Sequence, residues 1–201
     1  MKMARRYAMT ARAESVARTR DRILDTTIAL HLERPIADIS LDLVAEGAGV
    51  SVQTVLRHFG NRAGLFEAAL ERGAKEIGRE REAAPGDVEG ALRVLIDHYE
   101  QRGDGVLLFL KQEADEPHAK RIVVNGRRTH RAWVARVFDR VLAERRDDEL
   151  LDLLVVATDV YCWKLLRRDR GLSRRLTEQR MRRLVDAVLE SARPSRRNSG
   201  A

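Results

Sequence analysis

"GVSVQTVLRHFGNRAGLF", Gly49 to Phe66, places a serine ahead of a short run of mixed polarity that closes on a second glycine. Ser51 is suited to cap a helix opening at Val52, because its hydroxyl can accept from a backbone N–H that has no partner in the first turn. Val55 and Phe59 then share one face at i, i+4 spacing and are predicted to be buried. Val52, Gln53, Thr54, Leu56, Arg57 and His58 are left partly or wholly outward. A helix this short is held by its neighbours and not by its own propensity. Val50 and Val55 fit a hydrophobic staple, which would fix the angle at which the helix leaves the turn.

The preceding stretch supplies a neighbour. Ser40 is a second candidate cap, opening a predicted helix over 41–48 with Leu41, Val44 and Ala45 on its apolar side, and Gly47 and Gly49 end it within a few residues. Upstream, Ile23, Leu24, Thr27, Leu30 and His31 recur at three-to-four spacing, which predicts a helix from about Ala17 to Arg34, stopped by Pro35. Residues 1–18 carry Lys2, Arg5, Arg6, Arg12 and Arg18 against Glu14, with little apolar period, and are expected to form a disordered basic arm. After Asn61 a linking helix is predicted to about Glu82, through Leu65, Phe66, Ala69, Leu70, Gly73 and Ile77.

Ala83-Ala84-Pro85-Gly86 is the natural boundary. It divides a helix-turn-helix domain over 19–66 from a helical domain over 87–192, with a disordered tail over 193–201. In the second domain Val88, Ala91, Leu92, Leu95 and Tyr99 form one stripe, and Val106 to Leu110 reads as the start of another short helix. From Pro117 onward His130, Trp133, Val134, Val137, Phe138, Val141 and Leu142 keep one helical register. Glu149 to Asp169 is apolar nearly all round and is expected to be buried on more than one side. Met181, Leu184, Val185, Val188 and Leu189 stripe the last helix. The fold class is therefore all-α.

Composition agrees: of 201 residues 44% are hydrophobic and only 4% aromatic, with four prolines and few strand-like segments. The net charge of +7 is carried mostly by arginine, whose planar fork suits phosphates and base edges, although a GC-rich genome would also enrich it. A single cysteine, Cys162, excludes an internal disulfide and suits a reducing cytoplasm. No run approaches the roughly 18 apolar residues a membrane span needs, so a cytoplasmic location with no membrane partner is expected. His31, His98, His118 and His130 show no i, i+4 pairing and no nearby cysteine, so neither a metal nor another cofactor is expected. No serine, nor the cysteine, is flanked by a recognisable base and orienting acid, which argues against an enzyme.

Two helices joined by a tight glycine turn, the second short, capped and polar outside, are the helix-turn-helix arrangement whose second helix enters the DNA major groove. "RDRILDTTIAL" followed by "ISLDLVAEGAGVSVQTVLRHFGNRAGLF", with its "AGVS" turn and "HF" pair, resembles the DNA-binding domain of tetracycline-repressor (TetR) family regulators from about Arg20 to Phe66. More loosely, "DVYCWKLLRRDRGLSRRLTEQRMRRLVDAVL" is similar to the closing helices of the family. The resemblance implies a homodimer that pairs through its last two helices, binds a palindromic operator in double-stranded DNA, and carries a C-terminal ligand-binding and dimerisation domain where a small-molecule effector releases the DNA.

By the same resemblance Ser40, Thr54, His58 and Arg62 match phosphate-holding positions and set register. Val52, Gln53 and Arg57 match positions that reach base edges: valine against a thymine methyl, glutamine on adenine, arginine on guanine. Ser51 is read as a cap alone. The sequence departs from the family at Leu56, where a phosphate-bonding tyrosine is usual, at His31, where phenylalanine is, and at Pro35, where glycine is. Tyr99, Phe109, Trp133, Phe138 and Trp163 are candidate pocket-lining aromatics or plain core, and Asp159 among apolar neighbours needs a partner or a ligand. Two other readings fit the composition: a non-specific architectural DNA binder, or a helical ligand-binding or adaptor protein with an inactive reading head.

Overall fold

The computed structural model describes residues 2–145 and 148–192. They form α1 (Lys2–Glu33), a single 3-10 turn (Ile36–Asp38), α2 (Leu41–Ala48), α3 (Val52–Phe59), α4 (Arg62–Glu80), α5 (Val88–Gln112), α6 (Pro117–Val137), α7 (Asp139–Arg145), α8 (Asp148–Ala157), α9 (Val160–Lys164), a π turn (Leu165–Asp169) and α10 (Arg174–Ser191). No β-strand occurs among the described residues. The tail over 193–201 lies outside them.

The chain forms two compact units, one of residues 1–78 with 108–122, the other of residues 79–107 with 123–201. In the first unit the core gathers Ile23, Leu24, Ile36, Ile39, Val44, Val55, Leu65, Phe66 and Phe109, all at most 6% exposed. Gly47 allows the close approach of α2 to α1: a Cβ there would lie 2.7 Å from Thr26 Cγ2. His31 is buried and meets the Phe66 ring edge-on at 4.6 Å between centroids. Pro35 carries φ −54°, within the range its ring imposes, and leads directly into the 3-10 turn.

Three expectations are corrected. α1 begins at Lys2, so residues 2–18 of the expected arm are helical; Met1 lies outside the described residues. Alanines and arginines dominate that stretch and favour helix whether or not an apolar stripe is present. The division at Ala83–Gly86 also fails to hold for everything beyond it, because Leu108–Ile122 groups with the first unit. There Phe109 is buried, and the Gln112 side-chain carbonyl accepts from the Ile36 N–H at 2.8 Å. Third, α5 is continuous through "RGDG" instead of restarting at Val106. Gly103 is spent on packing: a Cβ there would lie 2.6 Å from Trp163 Cζ3.

The second unit is built around Leu92, Leu95, Ile96, Tyr99, Trp133, Val134, Val137, Phe138, Leu154, Trp163, Met181 and Val185. The register from Pro117 is interrupted at Phe138, where α6 gives way to α7, and the Val137 carbonyl accepts from the Gly86 N–H at 2.9 Å. The apolar segment over 149–169 is likewise split into α8, α9 and the π turn. Asp159 turns extended there and caps α9, accepting from the Tyr161 N–H at 2.8 Å. Nor is the segment buried all round: Leu153, Val156, Tyr161 and Leu165 are 43–61% exposed, as is Leu184 on α10 at 43%.

Candidate nucleic-acid interface

The turn between α2 and α3 is fixed by backbone chemistry at both ends. Gly49 adopts φ +64°, the left-handed region that glycine enters without a Cβ penalty. Its N–H and that of Val50 return to the carbonyls of Glu46 and Ala45 at 3.1 and 3.0 Å, a Schellman closure of α2. Ser51 then caps α3 by accepting from the Thr54 N–H at 3.2 Å. At the far end Gly60, with φ +77° and ψ −56°, makes the tight turn in which Asn61 N donates to Phe59 O at 2.9 Å. The Asn61 side chain caps α4 through the Gly64 N–H at 2.9 Å.

Within α3 Val55 is fully buried and pins the helix to the unit. Gln53 and Arg57 are exposed, and Val52, Thr54, Leu56, His58 and Phe59 are half-buried. The residues expected to reach base edges, Val52, Gln53 and Arg57, therefore share a helix whose opposite side is anchored, with Gln53 and Arg57 one turn apart. Ser40 caps α2 from the Leu43 N–H at 3.1 Å and stays exposed. The Thr54 hydroxyl lies 3.1 Å from that of Ser51. The Arg20 guanidinium lies over the Phe59 ring at 4.9 Å, a contact the sequence reading did not anticipate. His58 has a lowered pKa, first from burial and then from Arg57 and Arg20, so near neutral pH it offers a neutral N–H and not a charge.

Arg62 is the clear departure. Its guanidinium donates Nε–H to the Ile39 carbonyl at 2.9 Å and Nη2–H to the Ile36 carbonyl at 2.5 Å, and stacks over Phe66 at 4.3 Å. An arginine read as a phosphate clamp is thus committed to joining α4 to the turn before α2.

Of the aromatic residues suggested for a pocket, Tyr99 and Trp163 meet with ring centroids 5.9 Å apart. Phe109 belongs to the first unit, the others to the second. Tyr99 donates its O–H to the Thr158 carbonyl at 2.9 Å, Trp133 its N–H to the Arg81 carbonyl at 2.8 Å, and Trp163 its N–H to Glu100 Oε1 at 2.9 Å. Phe138 is buried as core. Asp159 is half-buried, and its raised pKa follows from burial. Its need for a partner is met by its capping role. No group of three or more His, Cys, Asp or Glu side chains among the described residues is arranged to hold a metal ion, and no described helix is long and apolar enough to cross a membrane.

These features define an all-α protein with an N-terminal helix-turn-helix head. Residues 23–69 match the family model of bacterial regulatory proteins, tetR family. The uncharacterized HTH-type transcriptional regulator Rv1255c of Mycobacterium tuberculosis is 38% identical over 77 residues, 38% of each chain. The HTH-type transcriptional repressor SCO4008 of Streptomyces coelicolor is 27% identical over 81 residues, 40% of this chain and 42% of that one. The match thus spans well under half the length of these relatives. Among solved structures, a transcriptional regulator from Rhodococcus sp. Rha1 has a TM-score of 0.64 at 19% identity, covering 86% of this chain and 96% of its own. The multidrug binding protein EbrR, complexed with imidazole, has a TM-score of 0.54 at 25% identity, covering 82% and 88%.

Proposed function

We propose that the protein is a homodimeric transcriptional repressor that reads a two-fold symmetric operator through α3 and leaves it when a small molecule binds the second unit. The observation that carries the reading is α3 itself, capped at Ser51, held by a fully buried Val55 and presenting Gln53 and Arg57 to solvent. Such a helix gains nothing for the fold from its outer side chains; in the major groove they have partners. Ser40, Thr54 and His58 supply phosphate contacts around it, and Arg62 is withdrawn from that set.

Dimerisation is supported by the apolar side chains left uncovered at Leu153, Val156, Tyr161, Leu165 and Leu184, in the closing helices where a second copy would cover them. Release by a ligand requires unequal affinity for the DNA-bound and free arrangements. That relatives are named as a repressor and as a multidrug binding protein favours this reading. Selection of bound duplexes from a random pool at near-physiological salt tests it. Enrichment of a two-fold symmetric site supports a sequence-reading dimer. Retention without an enriched motif would replace it by architectural binding through charge, and no retention at all by an inactive head.

A further inference from the structure

Arg81 is only 6% exposed, in the interior of the second unit. Nη2 donates to His130 Nδ1 at 2.8 Å, and the guanidinium lies over the Trp133 ring at 4.5 Å. Nε is buried and has no hydrogen-bond partner among the described residues. Among the described residues no carboxylate pairs with this guanidinium. Five carboxylates of its unit are engaged elsewhere: Glu80 by His98 and Arg102, Asp97 by Arg174, Glu100 by Arg167 and Trp163, Asp104 by Arg168, Asp159 by the Tyr161 backbone.

Arginine cannot escape this position by losing its proton, as a lysine or histidine would, even though burial lowers its pKa from the ordinary value. Nor can its neighbours neutralise it. Because Arg81 can only donate, His130 Nδ1 must accept, which leaves His130 Nε2–H to face Thr158 Oγ1 at 3.2 Å. That histidine is a neutral ring, its pKa lowered to about 3 by burial and then by Arg81 itself. The Tyr99 O–H is occupied with the Thr158 carbonyl. A buried cation without a counter-ion, with an unused N–H in the plane of its fork, is strongly unfavourable unless something anionic joins it.

We propose that the second unit binds an organic carboxylate whose anionic group pairs with Arg81 and whose apolar body lies against the aromatic side chains beside it. The inference rests on the reading of this unit as the effector-binding part, and names the chemical class of the effector. A carboxylate matches the guanidinium fork in plane and spacing, and would use the free Nε–H. Trp133, stacked on His130 with centroids 5.9 Å apart, gives the site an apolar wall and an optical reporter.

The test uses the full chain and Arg81→Met, followed by thermal unfolding and tryptophan fluorescence. The probes are sodium benzoate, phenylacetate, octanoate and decanoate, with benzamide, phenylacetamide, octanamide and decanamide as neutral controls. At least one acid is expected to raise the melting temperature and change the fluorescence saturably, its amide at least tenfold more weakly, and Arg81→Met is expected to abolish the difference between acid and amide. Without ligand, Arg81→Met should melt no lower than the parent, because the uncompensated charge is gone. Equal binding of acid and amide, equal response of the variant and the parent, or no saturable response to any acid would overturn the proposal. So would a ligand-free variant that melts well below the parent, which would make Arg81 structural. The operator selection uses no carboxylate, so an enriched site with unresponsive acids refutes this inference alone, and acid binding with no enriched site refutes the DNA reading alone.

Discussion

Arg62→Ala separates a structural from a DNA-holding role for the residue that opens α4. In the folded chain this guanidinium makes two hydrogen bonds to main-chain carbonyls and covers the Phe66 ring. A hydrogen bond from a charged donor contributes about 1.5–3 kcal/mol, and a partly exposed cation–π contact about 0.5–1 kcal/mol. Arg62 is half-buried, so water can replace part of what is lost, and the expected destabilisation is about 2–4 kcal/mol, a melting decrease on the order of 5–15 °C. Arg62→Lys keeps the charge but offers a point donor that cannot reach both carbonyls in the plane of a fork, and should recover less than half of the loss. Urea and thermal unfolding followed by circular dichroism read the stability. A salt titration of binding to the selected duplex reads the phosphate count, which falls by about one for each clamp removed. If both variants unfold with the parent while the salt slope of Arg62→Ala flattens by about one, the internal role is wrong and Arg62 is a clamp after all.

Arg57→Ala should leave unfolding unchanged and cost about 1–3 kcal/mol at a matched guanine, relaxing preference at that position alone; equal loss on duplexes varied at every position would count against base reading. Gly103→Ala should destabilise by about 1–3 kcal/mol and shift the Trp163 fluorescence, since the new Cβ would lie 2.6 Å from the indole; a variant with parental stability and spectrum would contradict that packing. Val156→Glu should convert dimer to monomer in sedimentation equilibrium, and a persistent dimer would place the interface elsewhere. Acid should destabilise both units. His31 and His130 have pKa values lowered to about 3 and His98 to about 4, all by burial first. Each is neutral when folded and titrates near 6.5 when unfolded, so its contribution is complete above that pH and is lost as pH falls toward the folded value, by about 1.4 kcal/mol per pH unit. Urea unfolding at about pH 7 and about pH 5 measures this, and His31→Phe should flatten the pH dependence of the first unit; no loss at the lower pH would refute it.

The parts of the molecule legible in its sequence are those decided within a turn or two of the chain. Ser40, Ser51, Gly49 and Gly60 act on their own neighbours, so α2 and α3 follow from spacing alone, and the exposed set Gln53 and Arg57 follows from α3. What was misread depends on partners far along the chain. Gly103 carries every local sign of a helix break, yet α5 runs through it because a tryptophan sixty residues on needs the space. Phe109 belongs by sequence to the second domain, and by packing to the first. The arginines make the point most sharply, since a guanidinium donates equally well to a phosphate or to a main-chain carbonyl. Composition and charge could therefore give Arg57, Arg62 and Arg81 the same outward role. Only position divides them: Arg57 meets solvent, Arg62 meets the carbonyls of Ile36 and Ile39, and Arg81 meets a neutral histidine and, among the described residues, no carboxylate. A donor satisfied inside the fold has no reason to seek DNA, and a donor unsatisfied there has every reason to take a ligand.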